Sequence, residues 1–353
     1  MRHPIYSRTI AGRFPQRGLS LIELMISITI GLLILSAITT LFVNQSRTRT
    51  ELDKSNRMID NGRYALEVLS ENLRVAGFYG ILDPSPLALP AGITDPCSTA
   101  SADMADALRL HVGGYDAAAV NSAIASPPCS LASLKDGSDI LVLRRANTST
   151  PLAQTAAVNG THYIQVSRCR FDIVNNFIIG TTPGNFIMRQ RDCTETSTTP
   201  YADVRRFIVQ TYFVSPNNNG SDGIPTLKRM ELDPAGSGAF ITTPLVEGIE
   251  YLQVEYGIDD PLADTDGDGT VGTDGIADSY VTCSACTIDN WSDVVSVKLH
   301  IIARNLEPTT GYTDTKTYNL GLAGAFGPFN DNYKRHAYTQ VVRLVNPASR
   351  REP

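Results

Sequence analysis

Residues 17–25 read Arg17-Gly18-Leu19-Ser20-Leu21-Ile22-Glu23-Leu24-Met25, and they open an apolar run that continues to Val43 with Glu23 as its single charge. A helix over residues 19–43, rising about 1.5 Å per residue, is long enough to cross a hydrocarbon core of roughly 30 Å. An ordinary secretory signal has a shorter apolar region with a small-residue cleavage site after it. Here Gly18 precedes the run and follows a basic segment, so cleavage at Gly18 would leave the membrane helix on the mature chain. Residues 1–18 hold Arg2, Arg8, Arg13 and Arg17 and no acid, so they are expected to stay cytoplasmic and send the rest outward.

An unpaired carboxylate inside a bilayer costs at least a few kcal/mol, so Glu23 is expected where a partner is available. The plainer reading is a glutamate about 6 Å from the helix start that reaches interfacial water. Beyond the membrane run the helical pattern persists. Leu52, Ile59, Leu66 and Leu73 recur every seven residues, Leu69 and Ala76 lie beside them, and no proline interrupts residues 19–83. This predicts one helix from Leu19 to about Ala76, on the order of 85 Å long. Gly62 is expected to soften it, and Gly77 followed by Pro84 and Pro86 to end it. The stripe could also serve a coiled coil, but Ser55 and Gly62 on the second seam favour packing on a sheet.

From residue 85 the pattern changes to short apolar runs separated by Gly, Pro, Asn and Asp, the mark of a β-rich head. Strands are predicted at Asp139–Arg144, Phe207–Val214, Ile249–Tyr256, Val294–Ile302 and Thr339–Val345. In the fourth, Val295, Val297, Leu299 and Ile301 alternate with Ser296, Lys298 and His300, so one face should cover the helix. The fold class is therefore α+β: a long N-terminal helix, half transmembrane and half amphipathic, packed on an antiparallel head. The organisation expected is residues 1–18 as leader, 19–76 as helix and 77–353 as head.

The Gly18-Leu19-Ser20-Leu21-Ile22-Glu23-Leu24-Met25 segment resembles the N-terminus of type IV prepilins and type II secretion pseudopilins. That resemblance implies cutting between Gly18 and Leu19 by a prepilin peptidase and N-methylation of Leu19. It also makes Glu23 the fifth mature residue, whose carboxylate meets the terminal amine of a neighbouring subunit during assembly. Those families usually begin the mature chain with Phe or Met, so Leu19 is a departure. Arg63-Tyr64-Ala65-Leu66, Leu73-Arg74-Val75-Ala76-Gly77-Phe78, Asp139-Ile140-Leu141-Val142, Trp291-Ser292-Asp293-Val294-Val295 and Val342-Arg343-Leu344-Val345-Asn346 further resemble the PilW family of minor pilins. The resemblance implies a pilin-like, noncatalytic, low-abundance subunit that primes assembly with other minor pilins near the fibre tip. The partners implied are those minor pilins, the major pilin, the prepilin peptidase, the inner-membrane assembly platform and a tip adhesin. The GspJ-like pseudopilin of type II secretion shares the architecture and is the alternative.

Removing the four leader arginines takes the net charge from −6 to −10, which argues against nucleic acid as a partner. Within the head, Asp264, Asp266 and Asp268 followed by Gly269 match the front of a calcium loop, where glycine permits the turn that brings oxygens round the ion. The back half departs, since Gly275 stands where an EF-hand carries its bidentate glutamate. Calcium (Ca2+) is the cofactor expected if Asp274 or Asp278 and the Thr270 carbonyl complete the set; the bland reading is a solvated acidic turn.

Six cysteines in an exported chain favour disulfides. Locality suggests Cys97 with Cys129, Cys169 with Cys193, and Cys283 with Cys286, out of 15 possible pairings. Cys283-Ser284-Ala285-Cys286 also has the spacing of a thiol oxidoreductase, but it lies between the acidic loop and a strand rather than opening a helix, which favours a structural clip. The five histidines are scattered and sit in no nucleophile or metal motif. The competing classes are thus a membrane-anchored periplasmic thiol oxidoreductase and a calcium-dependent adhesive head.

Overall fold

A computed structural model describes residues 18–352 apart from 118–122, 125–126, 132, 195–200, 234 and 263–271. The chain divides into two compact units, Met1–Asp53 and Lys54–Pro353, and helix α1 (Leu21–Arg74) contributes to both. The expected leader lies outside the described residues except for Gly18.

Within the first unit the large apolar side chains from Leu21 to Val43 are 40–78% exposed, so no protein surface covers them. The most apolar 18-residue window has a mean hydropathy of 2.4, enough by length and composition to cross a membrane. Its threonines are satisfied inside the helix: Thr29, Thr39 and Thr40 donate to the Met25, Leu35 and Ser36 carbonyls at 2.7, 2.7 and 2.9 Å. Such back-bonding lets a hydroxyl sit in an apolar medium without an orphaned donor.

The second unit is built on the remaining helical residues. After α1 come α2 (Ser101–Asp106) and strands β1 (Val112–Tyr115), β2 (Ile140–Ala146), β3 (Tyr163–Val166), β4 (Phe177–Gly180), β5 (Val204–Ser215), β6 (Thr226–Leu232) and β7 (Phe240–Glu247). These seven strands form one antiparallel sheet in which β5 joins β2, β3 and β6. Then follow β8 (Ile249–Ile258), β9 (Ser279–Val281), α3 (Ile288–Ser292), β10 (Val294–Arg304), β11 (Tyr318–Asn319), β12 (Ala325–Phe326), β13 (Arg335–Arg343) and α4 (Val345–Ser349). The second sheet runs β13-β10-β8-β9, and β11 with β12 makes a separate hairpin.

Ala65, Leu66, Leu69 and Leu73 of α1 share one core with Leu141 and Leu143, with Tyr212 and Val214, and with Leu252, Val254, Val297, Leu299 and Ile301. The 3.6-residue stripe of the helix thus meets the period-two faces of both sheets. Gly62 does not soften the helix, which continues through it; a Cβ there would overlap the Tyr338 ring, so the glycine allows β13 to approach. The helix closes at Arg74, two residues earlier than its apolar stripe predicts, and the turn to Gly77 (φ +71°) is fixed by the Gly77 amide donating to the Arg144 carbonyl at 2.9 Å.

All five predicted strands exist, with two corrections. In β10 a register shift between Val294 and Ser296 puts Val294, not Val295, in the helix-facing core with Val297. The last strand ends at Arg343, because Leu344 caps α4 and Val345 begins it. Nor is the second sheet covered on one face only. Tyr251 and Ile302 pack outward under Tyr318, Leu320 and Phe326, so the hairpin region lids the far side.

Candidate functional site

Helix α1 begins with a reciprocal cap. The Ser20 backbone N–H and hydroxyl donate to Glu23 Oε2 at 2.9 and 3.0 Å, and the Glu23 N–H donates to Ser20 Oγ at 3.3 Å. This is a capping box, in which a serine and the glutamate three residues on satisfy each other's free backbone donors. Its spacing was legible in Ser20-Leu21-Ile22-Glu23, yet the apolar context draws attention to the membrane and hides it. Glu23 therefore has a partner within its own chain, one turn from Gly18 and Leu19. Gly18 is exposed with open space around its Cα and Leu19 is 76% exposed, so the bond between them is accessible.

The acidic loop is divided. Asp264, Asp266, Asp268 and Thr270 lie outside the described residues. Asp274 Oδ1 accepts from the Ile276 amide at 2.8 Å, and Asp278 Oδ2 accepts from the Asp260 amide at 2.7 Å. Both carboxylates thus cap the chain near the end of β8, where the buried Asp259 also accepts from the Gly275 amide at 2.9 Å. Among the described residues, the group with metal-ligand spacing is Asp95, Cys97 and Cys129. Its two sulfurs are bonded to each other, which removes the thiolates a metal would need.

Each cysteine is paired with the next in sequence: Cys97 with Cys129, Cys169 with Cys193, and Cys283 with Cys286. Cys283 and Cys286 pack against the main core. They precede α3, whose N-cap is Thr287 in a capping box with Asn290, so neither sulfur sits in the first helical turn that lowers a thiol's pKa.

Two buried polar clusters escaped the sequence reading. Arg335 is 1% exposed in its side chain and meets Glu250 at 2.6 Å, Asp314 at 3.0 Å and Asp331 at 2.6 Å. Those acids hold its guanidinium charged despite the burial. Glu255 accepts from the Leu322 amide at 2.7 Å and faces His300 Nε2 at 3.1 Å and Lys298 at 3.0 Å; Thr339 meets His300 Nδ1 at 2.9 Å. Burial lowers the pKa of His300 and the adjacent Glu255 opposes that shift. The three groups lie on paired strands, with the hairpin region closing over them, which suits fastening rather than chemistry. Residues up to 85 apart in sequence meet in these clusters, and no local spacing announces them.

Residues 211–346 match the family described as Type IV Pilus-assembly protein W, and residues 13–39 match the prokaryotic N-terminal methylation motif. The first match runs from within β5 through β13 into α4, and the second covers the capped start of α1. A type IV-like pilin from Thermus thermophilus matches at 13% identity and a TM-score of 0.32, covering 82% of this chain and 97% of that one. No curated protein matches.

Proposed function

We propose that this chain, which carries a PilW domain behind a prepilin-type methylation motif, is a minor pilin that helps prime and assemble a type IV pilus near the fibre tip. The observation that carries the reading is the joining of those two segments by one helix whose apolar first part is exposed and whose last 21 residues enter the head's core. On this reading prepilin peptidase cuts between Gly18 and Leu19, Leu19 is N-methylated, and residues 19–43 hold the subunit in the inner membrane with its head in the periplasm. Assembly is noncatalytic. Glu23 leaves its bond to Ser20 to meet a neighbouring subunit's amine, and the head engages other minor pilins. Calcium at Asp264, Asp266 and Asp268 is a subsidiary proposal, motivated by their spacing ahead of Gly269.

The test is N-terminal mass spectrometry of the protein recovered from inner membranes and, separately, from sheared surface fibres. A chain beginning at N-methyl-Leu19 in the fibres is the expected result. A chain still beginning at Met1 and absent from fibres would sink the proposal, while a processed chain confined to membranes would favour the secretion pseudopilus. For calcium, Asp266→Ala with Asp268→Ala is expected to abolish any rise of melting temperature on adding the ion; an undiminished rise refutes the site.

A further inference from the structure

A polar cavity of about 260 Å³ lies between the turn after α1, the approach to β1, α3 and the C-terminal α4. Arg109, Arg350 and Arg351 line it together with Ser85, His111, Thr273 and Ser292, and among the described residues no carboxylate does. The guanidiniums are fixed from behind. Arg109 Nη1 donates to the Leu87 carbonyl at 3.2 Å and Arg350 Nη2 to the Gly77 carbonyl at 2.8 Å. Arg351 is held by the Asp259 carbonyl at 2.9 Å, by the Asp259 carboxylate at 3.4 Å and by the Asp293 carboxylate. Asp83 stands 3.6 Å from Arg350 Nε.

These contacts leave Arg109 Nε and Nη2, Arg350 Nη1 and Arg351 Nε with no hydrogen-bond partner among the described residues. None of these atoms is sealed from solvent and orphaned, so their N–H groups face accessible space. Burial draws the Arg350 pKa down, against the opposing pull of Tyr79 and the nearby Asp83. A protein with a net charge of −6 has thus gathered three anchored arginines around one hollow, with hydroxyls beside them. Planar guanidiniums with pre-set donors are the groups that bind oxyanions in two-pronged fashion, and anchoring removes the entropy cost of ordering them.

We infer that this cavity is a binding site for a small oxyanion, a phosphate or carboxylate group held by Arg109, Arg350 and Arg351. Occupancy would clamp the turn leaving α1 against the C-terminal helix, because Arg350 already spans from one to the other. The inference does not depend on the minor-pilin reading.

The test uses the full chain in detergent micelles, titrated with sodium phosphate against sodium chloride at matched ionic strength. A saturable rise in melting temperature of about 3 °C or more is expected at ligand concentrations well above Kd. Arg109→Gln, which gives up the Leu87 hydrogen bond and a charge near Asp293, should weaken binding at least tenfold by titration calorimetry; Arg109→Lys, which keeps the charge without the fork, should fall between the two. Succinate acting as strongly as phosphate assigns the site to carboxylates such as a neighbouring subunit's acidic side chain, and phosphate acting alone assigns it to a free or esterified phosphate. If phosphate and succinate do no more than chloride, or if both Arg109 variants bind as the parent does, the inference is overturned.

Discussion

The two parts of α1 are one helix written for two solvents. From Leu21 to Val43 it is apolar on every side and its large side chains stay exposed. From Lys54 to Arg74 it is charged outward, with Met58, Ala65, Leu66, Leu69 and Leu73 buried. The first part has little need of particular side chains, because any apolar residue suits a hydrocarbon medium, whereas the second must fit a core at close-packed density. Tolerance to substitution should therefore differ sharply along one continuous element.

The head side of that contrast should break hardest at Arg335. Replacing it with Ala leaves Asp314 buried without its cation and Glu250 with only the longer Arg304 contact, a loss of about 3–5 kcal/mol in urea unfolding. A loss below about 1 kcal/mol would mean that the existing Arg304 contact suffices for Glu250 and that Asp314 is accommodated without a cation. Next is a direct comparison of the two parts. Leu69→Ala, at a position 0% exposed, is expected to cost the head about 2–5 kcal/mol, while Leu33→Ala, at 66% exposed, should leave head stability unchanged. Equal effects at the two positions would erase the distinction.

Both parts were legible in the sequence, for different reasons. Composition alone marks the membrane half, and the recurrence of Leu66, Leu69 and Leu73 marks the packed half. Five of the seven strands that run seven residues or more were found from their apolar runs or alternation. Short strands such as β1, β3, β4 and β9 were missed, since three or four residues carry too little periodicity, and so were β6 and β7, where Lys228, Arg229 and the Thr242-Thr243-Pro244 run break the apolar pattern. The arginine cavity was equally invisible, because Arg109 and Arg350 lie 241 positions apart and meet only once the C-terminal helix docks. Gly62 was misread because propensity speaks of helix strength, while the tertiary fold uses the missing Cβ to admit Tyr338.

The pH dependence sharpens the head side further. His111 is buried, with Nε2 2.7 Å from the Val294 carbonyl and Nδ1 3.2 Å from that of Arg109. Burial, helped by the Arg350 and Arg351 charges, pushes its pKa down to about 4 from an unfolded value of 6.5. The neutral ring's contribution is whole above pH 6.5 and declines as pH falls toward 4, because the unfolded chain binds a proton that the folded chain refuses. By the pKa difference the loss approaches about 3 kcal/mol at the acid end. His111→Gln should flatten unfolding free energy between pH 6.5 and 4 relative to the parent; an unaltered slope would show that other groups set it.

The smallest effect belongs to the membrane part, and it tests the one place where that part is specific. Ser20 and Glu23 close the helix start through three hydrogen bonds, so Ser20→Ala should cost about 1 kcal/mol locally, equivalent to roughly fivefold faster amide exchange at Glu23 in micelles. Head stability should not move, since the cap and the buried leucines draw on different solvents. The same substitution leaves the Glu23 carboxylate with the residue-20 backbone N–H alone, one hydrogen bond in place of two, before assembly. If that bond competes with docking, the variant should enter fibres at least as readily as the parent despite a weaker helix start. Slower exchange, or exchange unchanged at Glu23, would instead mean that the Ser20 hydroxyl does not protect the Glu23 amide, and the cap would then not be a sequence-specific contact of the apolar part.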